Sequence, residues 1–206
     1  MPITETVSPD LDNPLPAGVI ALAPHPACRA HPLKSLHATV TLDAGDCIAI
    51  EFALRGDLSR LRLAPSSAAP QRRDELWRHT CFELFARRAT ERSYLEFNFS
   101  PSGDWAAWAF SDYRRDQRPV EQARVRITTL PDDSGCWRLR AQAELGAADA
   151  PCTWWLNLAA VIEADDGELT YWAARHTSAQ PDFHDHAAFM VPLRATRAAV
   201  PLPGYA

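Results

Sequence analysis

Between residues 95 and 100 polar and apolar side chains alternate strictly. Leu95, Phe97 and Phe99 fall on one side, and Tyr94, Glu96, Asn98 and Ser100 on the other. A period of two is that of a β-strand, so one row belongs in a core. The other row offers a carboxylate, an amide and a hydroxyl beside an aromatic ring. Shorter stretches of the same kind recur and predict strands at 18–23, 36–43, 47–54, 59–64, 77–87, 93–100, 105–111, 120–130, 136–145, 153–163, 169–175 and 187–193. Turn-forming residues separate them at 43–46, 101–103, 131–135 and 165–167. Many short strands at this spacing predict an all-β, single-domain β-sandwich of jelly-roll type. Helical periodicity fits poorly. Its best stretch, 64–75, is limited by Pro65 and Pro70 to a turn or two. Residues 1–17 read as an extended lead-in and 18–206 as the domain, without internal repeats or a dividing linker.

Composition narrows the classes. The 206 residues are enough to bury about 70% of the unfolded surface, so no disulfide or metal is needed to hold the fold. The net charge of −5 argues against a nucleic-acid partner, which needs a basic excess. The first 17 residues lack the basic and apolar regions of a signal peptide, and no apolar run is long enough to span a membrane. Five widely spaced cysteines without a CxxC pair read as buried, reduced thiols. The expectation is a cytoplasmic protein that meets neither nucleic acid nor membrane.

Four segments, WRHTCFELF (77–85), YLEFNFSPSGDW (94–105), AWAFSDYR (107–114) and YWAARHTSAQPDFH (171–184), together resemble the DOMON-like proteins, relatives of the family 9 carbohydrate-binding modules. The resemblance spans roughly residues 18–195. It implies a β-sandwich with a concave face where relatives hold sugars or haem. It also matches Glu83 to the acidic residue of the first motif strand, Glu96 and Asn98 to the polar pair of the second, and Trp172 and His176 to the late motif.

The residue types themselves suit a sugar. Aromatic faces cover the C–H surface of a pyranose, and carboxylates and amides satisfy its hydroxyls. The candidate ligand-binding residues are Trp77, His79, Glu83, Glu96, Asn98, Trp155, Asn157, Trp172 and His176, grouped by strand alternation. Trp172, Ala174 and His176 share a side if that strand runs regularly, which puts Trp172 on the cavity wall. The competing reading is that the tryptophans fill the core and the carboxylates pair with arginines. Glu83 and Glu96 also raise glycoside hydrolysis, which needs two carboxylates at a defined separation. His176, Asp182, His184 and His186 suggest a metal-assisted enzyme. An aromatic face that docks another protein is a third alternative. No GxSxG, P-loop or GxGxxG motif supports a nucleophilic or nucleotide-binding enzyme. Met1 and Met190 make a His/Met haem ligand pair unconvincing. The expectation is therefore a non-catalytic binder of a small sugar or other polar metabolite, with no cofactor.

Overall fold

A computed structural model describes residues 18–29, 31–42, 47–131, 135–146 and 152–194. The predicted lead-in and the turn at 43–46 lie outside the described residues. The described chain forms twelve strands and three single 3₁₀ turns, with no α-helix. Among the described residues no helix is long and apolar enough to cross a membrane. The strands are β1 (Val19–Pro24), β2 (Leu33–Leu42), β3 (Cys47–Gly56), β4 (Cys81–Arg88), β5 (Tyr94–Phe99), β6 (Trp105–Phe110), β7 (Arg118–Pro119), β8 (Val125–Pro131), β9 (Cys136–Glu144), β10 (Thr153–Glu163), β11 (Leu169–Ala173) and β12 (Val191–Arg194). They pair antiparallel in the order β7-β6-β5-β4-β10-β11-β1-β2-β3-β9-β8, and β12 joins β10 beside β11.

The sheet curls at β1, whose first residues pair with β2 and whose last two pair with β11. The curl lays β3 and β9 over β4. The Phe52 and Phe82 rings stand 5.0 Å apart, and Phe82 and Trp137 stack at 5.8 Å. The core between the two layers takes one row from each strand: Ile48, Ile50, Phe52 and Leu54 from β3, Leu139 and Ala141 from β9, Phe82 and Leu84 from β4, and Leu156, Leu158 and Ile162 from β10. Phe97 and Phe99 are buried in it, with Leu95 packed at its edge, as the alternation of that strand requires.

Several predicted boundaries need correction. The stretch 59–64 is not a strand. A 3₁₀ turn at Leu58–Arg60 is followed by one bridge, Leu61 to Ala164. Residues 77–80 are not strand either. Glu75 takes a left-handed conformation (φ 59°) and starts a 3₁₀ turn at Leu76–Arg78, so β4 begins only at Cys81. The stretch 64–75 forms no helical turn. Its prolines cannot supply helical N–H donors, and it runs beside the start of β6, with Arg73 N–H donating to Trp105 O and Trp105 N–H to Gln71 O. Strand 120–130 starts late, at Val125, after the unforeseen two-residue β7. The last predicted strand splits into a 3₁₀ turn at His186–Ala188 and the short β12. Finally β11 stops at Ala173, which matters for the site.

Candidate functional site

The register of β4, β5, β6, β10 and β11 decides which side chains leave the core. Glu83 pairs with Asn98, Phe85 with Glu96, Tyr94 with Phe110 and Glu96 with Trp108. On the other side Ala159 pairs with Glu83, Asn157 with Phe85, and Val161 with both Cys81 and Tyr171. Directly paired residues share a face. Glu83, Glu96, Asn98, Asn157 and Tyr171 therefore stand on one face, opposite to the sandwich core.

A long connection, 174–190, folds back over that face and makes a second apolar cluster. Phe183, Phe189, Phe85, Tyr94 and Phe110 are all buried in it. Asn157 Nδ2 donates to Phe183 O at 3.0 Å and holds the connection down. Within it, Asp182 Oδ1 accepts the His184 N–H, and the Asp185 side chain accepts Ala187 N–H to open the 3₁₀ turn. His184 is thereby set edge-on to Phe85 (5.0 Å) and Phe110 (5.3 Å).

The connection does not fill the face. It leaves a cavity of about 490 Å³ between itself and the sheet. Glu83, Glu96, Val161, Phe110 and Tyr171 come from strands. Pro181, Phe183 and His184 come from the connection, Arg114 and Gln117 from the β6–β7 loop, and Trp77 from the 3₁₀ turn before β4. Trp77 is 51% exposed and forms the rim.

The two carboxylates are almost fully buried, Glu83 at 3% and Glu96 at 6% exposure. Glu96 Oε1 accepts from Asn98 Nδ2 at 2.7 Å. Glu83 makes no hydrogen bond or ion pair among the described residues, and it faces the cavity. Burial, and then the neighbouring Glu96 charge, push the Glu83 carboxyl well above the usual range, against the pull of Arg114. Burial pushes Glu96 up to about 7, opposed by the Asn98 bond and Arg114. Burial likewise lowers His184 to about 4, with Arg114 acting in the same direction, and raises Tyr94 to about 12.

The Tyr94 hydroxyl accepts the Arg114 N–H at 3.1 Å and lies 2.8 Å from His184 Nδ1, in a hydrogen bond that either group can donate. On the other side of the ring, His184 Nε2 lies 3.8 Å from Glu96 Oε2. Arg114, at a left-handed φ of 50°, turns its guanidinium to Asp182 (3.0 Å), which also accepts from the Tyr113 hydroxyl at 2.8 Å.

The nine residues predicted for a ligand are thus not all in one place. Trp77, Glu83 and Glu96 line the cavity. Asn98 and Asn157 support it from the same face, through Glu96 and Phe183 respectively. Trp155 shares the face but packs partly buried in the second cluster. Trp172 is corrected. Paired with Ala160, it points into the sandwich core at 4% exposure and donates its Nε1–H to Thr170 Oγ1. His176 lies beyond the end of β11, bound to Ala23 O and edge-on to His25, so it does not share a side with Trp172. His79 precedes β4 and hydrogen-bonds Glu163 at 2.7 Å in a separate groove. Nor do His176, Asp182, His184 and His186 converge, and no group of three metal-ligating side chains forms among the described residues. Arg114, Phe110 and Tyr171 complete the cavity, together with Phe183 and with His184, which the sequence offers only for a metal.

Two further concavities differ in character. One, lined by Thr39, Glu51, Arg126 and Arg140, lies on the outer face of the other layer, where Glu51 is paired with Arg140. The other, around Arg62, Arg73, His79 and Glu163, has its buried carboxylates matched by Arg62 and Arg73. Only the cavity over Glu83 combines aromatic walls with a buried carboxylate that lacks a partner among the described residues.

No family model and no characterised protein matches the chain by sequence. Among solved structures it is similar to a protein from Bacteroides uniformis described as a candidate carbohydrate-binding protein, at 12% identity and a TM-score of 0.55, over 85% of this chain and 86% of that one. It overlaps less well with a family 9 carbohydrate-binding module from Caldicellulosiruptor kristjanssonii in complex with glucose, at 10% identity and a TM-score of 0.42, over 78% and 76% of the two chains. The first likeness is one of fold: both chains share an all-β architecture over most of their length.

Proposed function

We propose that this chain is a non-catalytic, DOMON-like β-sandwich of jelly-roll type that binds a small sugar or similar polyhydroxylated metabolite in the cavity over Glu83 and Glu96. The observation that carries the reading is Glu83: a buried carboxyl that faces an aromatic-walled space and has no partner in the described protein. A buried polar group left in that state costs about 1–3 kcal/mol, which ligand hydroxyl donors would recover. Phe110, Tyr171, Phe183 and Trp77 supply flat apolar surface for the C–H faces of a ring, and Arg114, Gln117 and His184 supply further polar groups at its edge. The cavity volume suits one or two sugar rings by the usual range for small-ligand sites, about 300–1,000 Å³. The fold likeness to a candidate carbohydrate-binding protein points the same way.

The two carboxylates stand on adjacent strands of one sheet and line the same cavity. Titration of tryptophan fluorescence with a panel of mono- and disaccharides tests the proposal. Binding of at least one sugar, weakened about tenfold or more by Trp77→Ala, is the expected result. Because Trp77 is half exposed, that variant should keep wild-type stability. No response to any sugar, or a response indifferent to Trp77, would count against the site.

A further inference from the structure

We infer that the cavity selects a ligand bearing a protonated amine and, within the sugar class proposed above, an amino sugar whose nitrogen is free. The word sugar rests on that proposal; the amine does not. The charges that face the cavity are unbalanced. The sheet contributes Glu83 and Glu96, both nearly inaccessible. Arg114 is the one Lys or Arg among the described lining residues, and its guanidinium is already engaged with Asp182 at 3.0 Å. Asp182 receives the Tyr113 hydroxyl as well. His184, from the connection, is held neutral by burial and by the neighbouring Arg114 charge.

A neutral sugar brings hydroxyl donors to such a pair but leaves its charge uncompensated, so the carboxyls would have to retain a proton. Their displacement toward neutrality agrees with that cost. An ammonium group supplies up to three donors and the missing positive charge at once. It would give Glu83 the partner it lacks and let Glu96 keep the Asn98 bond. The aromatic rings of Phe110, Tyr171 and Phe183 line the same space, where an aromatic ring attracts a cation as well as a C–H surface. An N-acetyl group would remove the charge and enlarge the ligand at its most buried end.

Calorimetric titration of the full chain with glucosamine, glucose and N-acetylglucosamine, at about pH 6 in two buffers of different ionisation enthalpy, tests the inference. Glucosamine should bind about tenfold or more tightly than the other two, the fold-change of one charge-assisted hydrogen bond. Its binding should release protons to the buffer as the carboxyls ionise. Glu83→Gln, checked for a wild-type circular dichroism spectrum, should bring the ratio of glucosamine to glucose affinity to about one. Glucose or N-acetylglucosamine binding as tightly as glucosamine would overturn the amine and leave the sugar reading standing. Binding of ethanolamine with proton release, but of no sugar, would retire the sugar and support the amine. Failure of all four ligands would retire both.

Discussion

Glu96→Gln should make the protein more stable at neutral and alkaline pH. The carboxyl is 6% exposed and its protonated form is favoured by burial, with the folded-state value raised from 4.5 to about 7. The sign follows from linkage. Below the unfolded value both states hold the proton and the group is neutral in its effect. Between 4.5 and 7 the unfolded chain ionises while the folded one keeps its proton, so stability falls as pH rises. Above that window the folded protein carries the full cost of a buried charge. At about 1.4 kcal/mol per pH unit this comes to about 3 kcal/mol. Glutamine keeps the shape and still offers Oε1 to Asn98 Nδ2, now 2.7 Å from Glu96 Oε1, but it cannot ionise. It also relieves Glu83, whose proton is held partly by the neighbouring charge. Urea denaturation of both proteins across the acid-to-alkaline range reads the difference directly. The two should coincide in acid, separate through the window, and differ by about 2–3 kcal/mol in favour of the variant near pH 8. A variant less stable than wild type at pH 8, or a difference that does not change with pH, would refute the reasoning.

Other expectations follow from neighbouring groups. Trp172→Ala should cost about 3–5 kcal/mol in chemical denaturation because the side chain fills the sandwich core, while ligand binding by the folded fraction persists; a loss of binding at wild-type stability would put Trp172 back in the site. His184, lowered from 6.5 to about 4 by burial, resists a proton that the unfolded chain accepts. The His184 contribution should therefore fall by about 3 kcal/mol as pH drops through that window, opposing that of Glu96, so His184→Asn should gain stability relative to wild type as pH falls; a difference between the two proteins that does not change with pH would contradict it. Asn157→Ala removes the donor to Phe183 O and should cost about 1–3 kcal/mol, with faster amide exchange across 174–190; wild-type exchange there would show that the bond does not hold the connection.

Strand alternation made part of this architecture legible. Over 93–100 the parity of Leu95, Phe97 and Phe99 against Glu96 and Asn98 separates core from site, because β5 is regular from end to end. The same logic failed where regularity was assumed beyond a strand. Alternation gives His79 the parity of Glu83, but the left-handed Glu75 and the 3₁₀ turn intervene. It gives His176 the parity of Trp172, but β11 ends at Ala173. In β11 itself the alternation separates two rows but does not say which one faces the core, and the resemblance puts Trp172 on the cavity wall. The register with β10 reverses that expectation: Tyr171 faces the cavity and Trp172 the core. Arg114, Phe183 and His184 sit on connections, where no period exists and position depends on contacts far along the chain. Some signal was present. Tyr94 stands in the same polar row as Glu96, and the PDFHD segment packs aromatic and acidic residues into one short turn. Neither shows that the segment closes over the row.

The central claim is that the aromatic cavity over Glu83 and Glu96 is where a ligand sits. Its most direct test is a crystal structure of the protein soaked with the sugar that binds best in the fluorescence titration. One ring should lodge between the β4–β5 wall and the 174–190 connection, with a polar hydrogen donated to Glu83 and a C–H face against Phe110, Tyr171 or Trp77. Density for the sugar in the groove beside His79 and Glu163, or on the outer face around Glu51, with the Glu83 cavity empty, would contradict it.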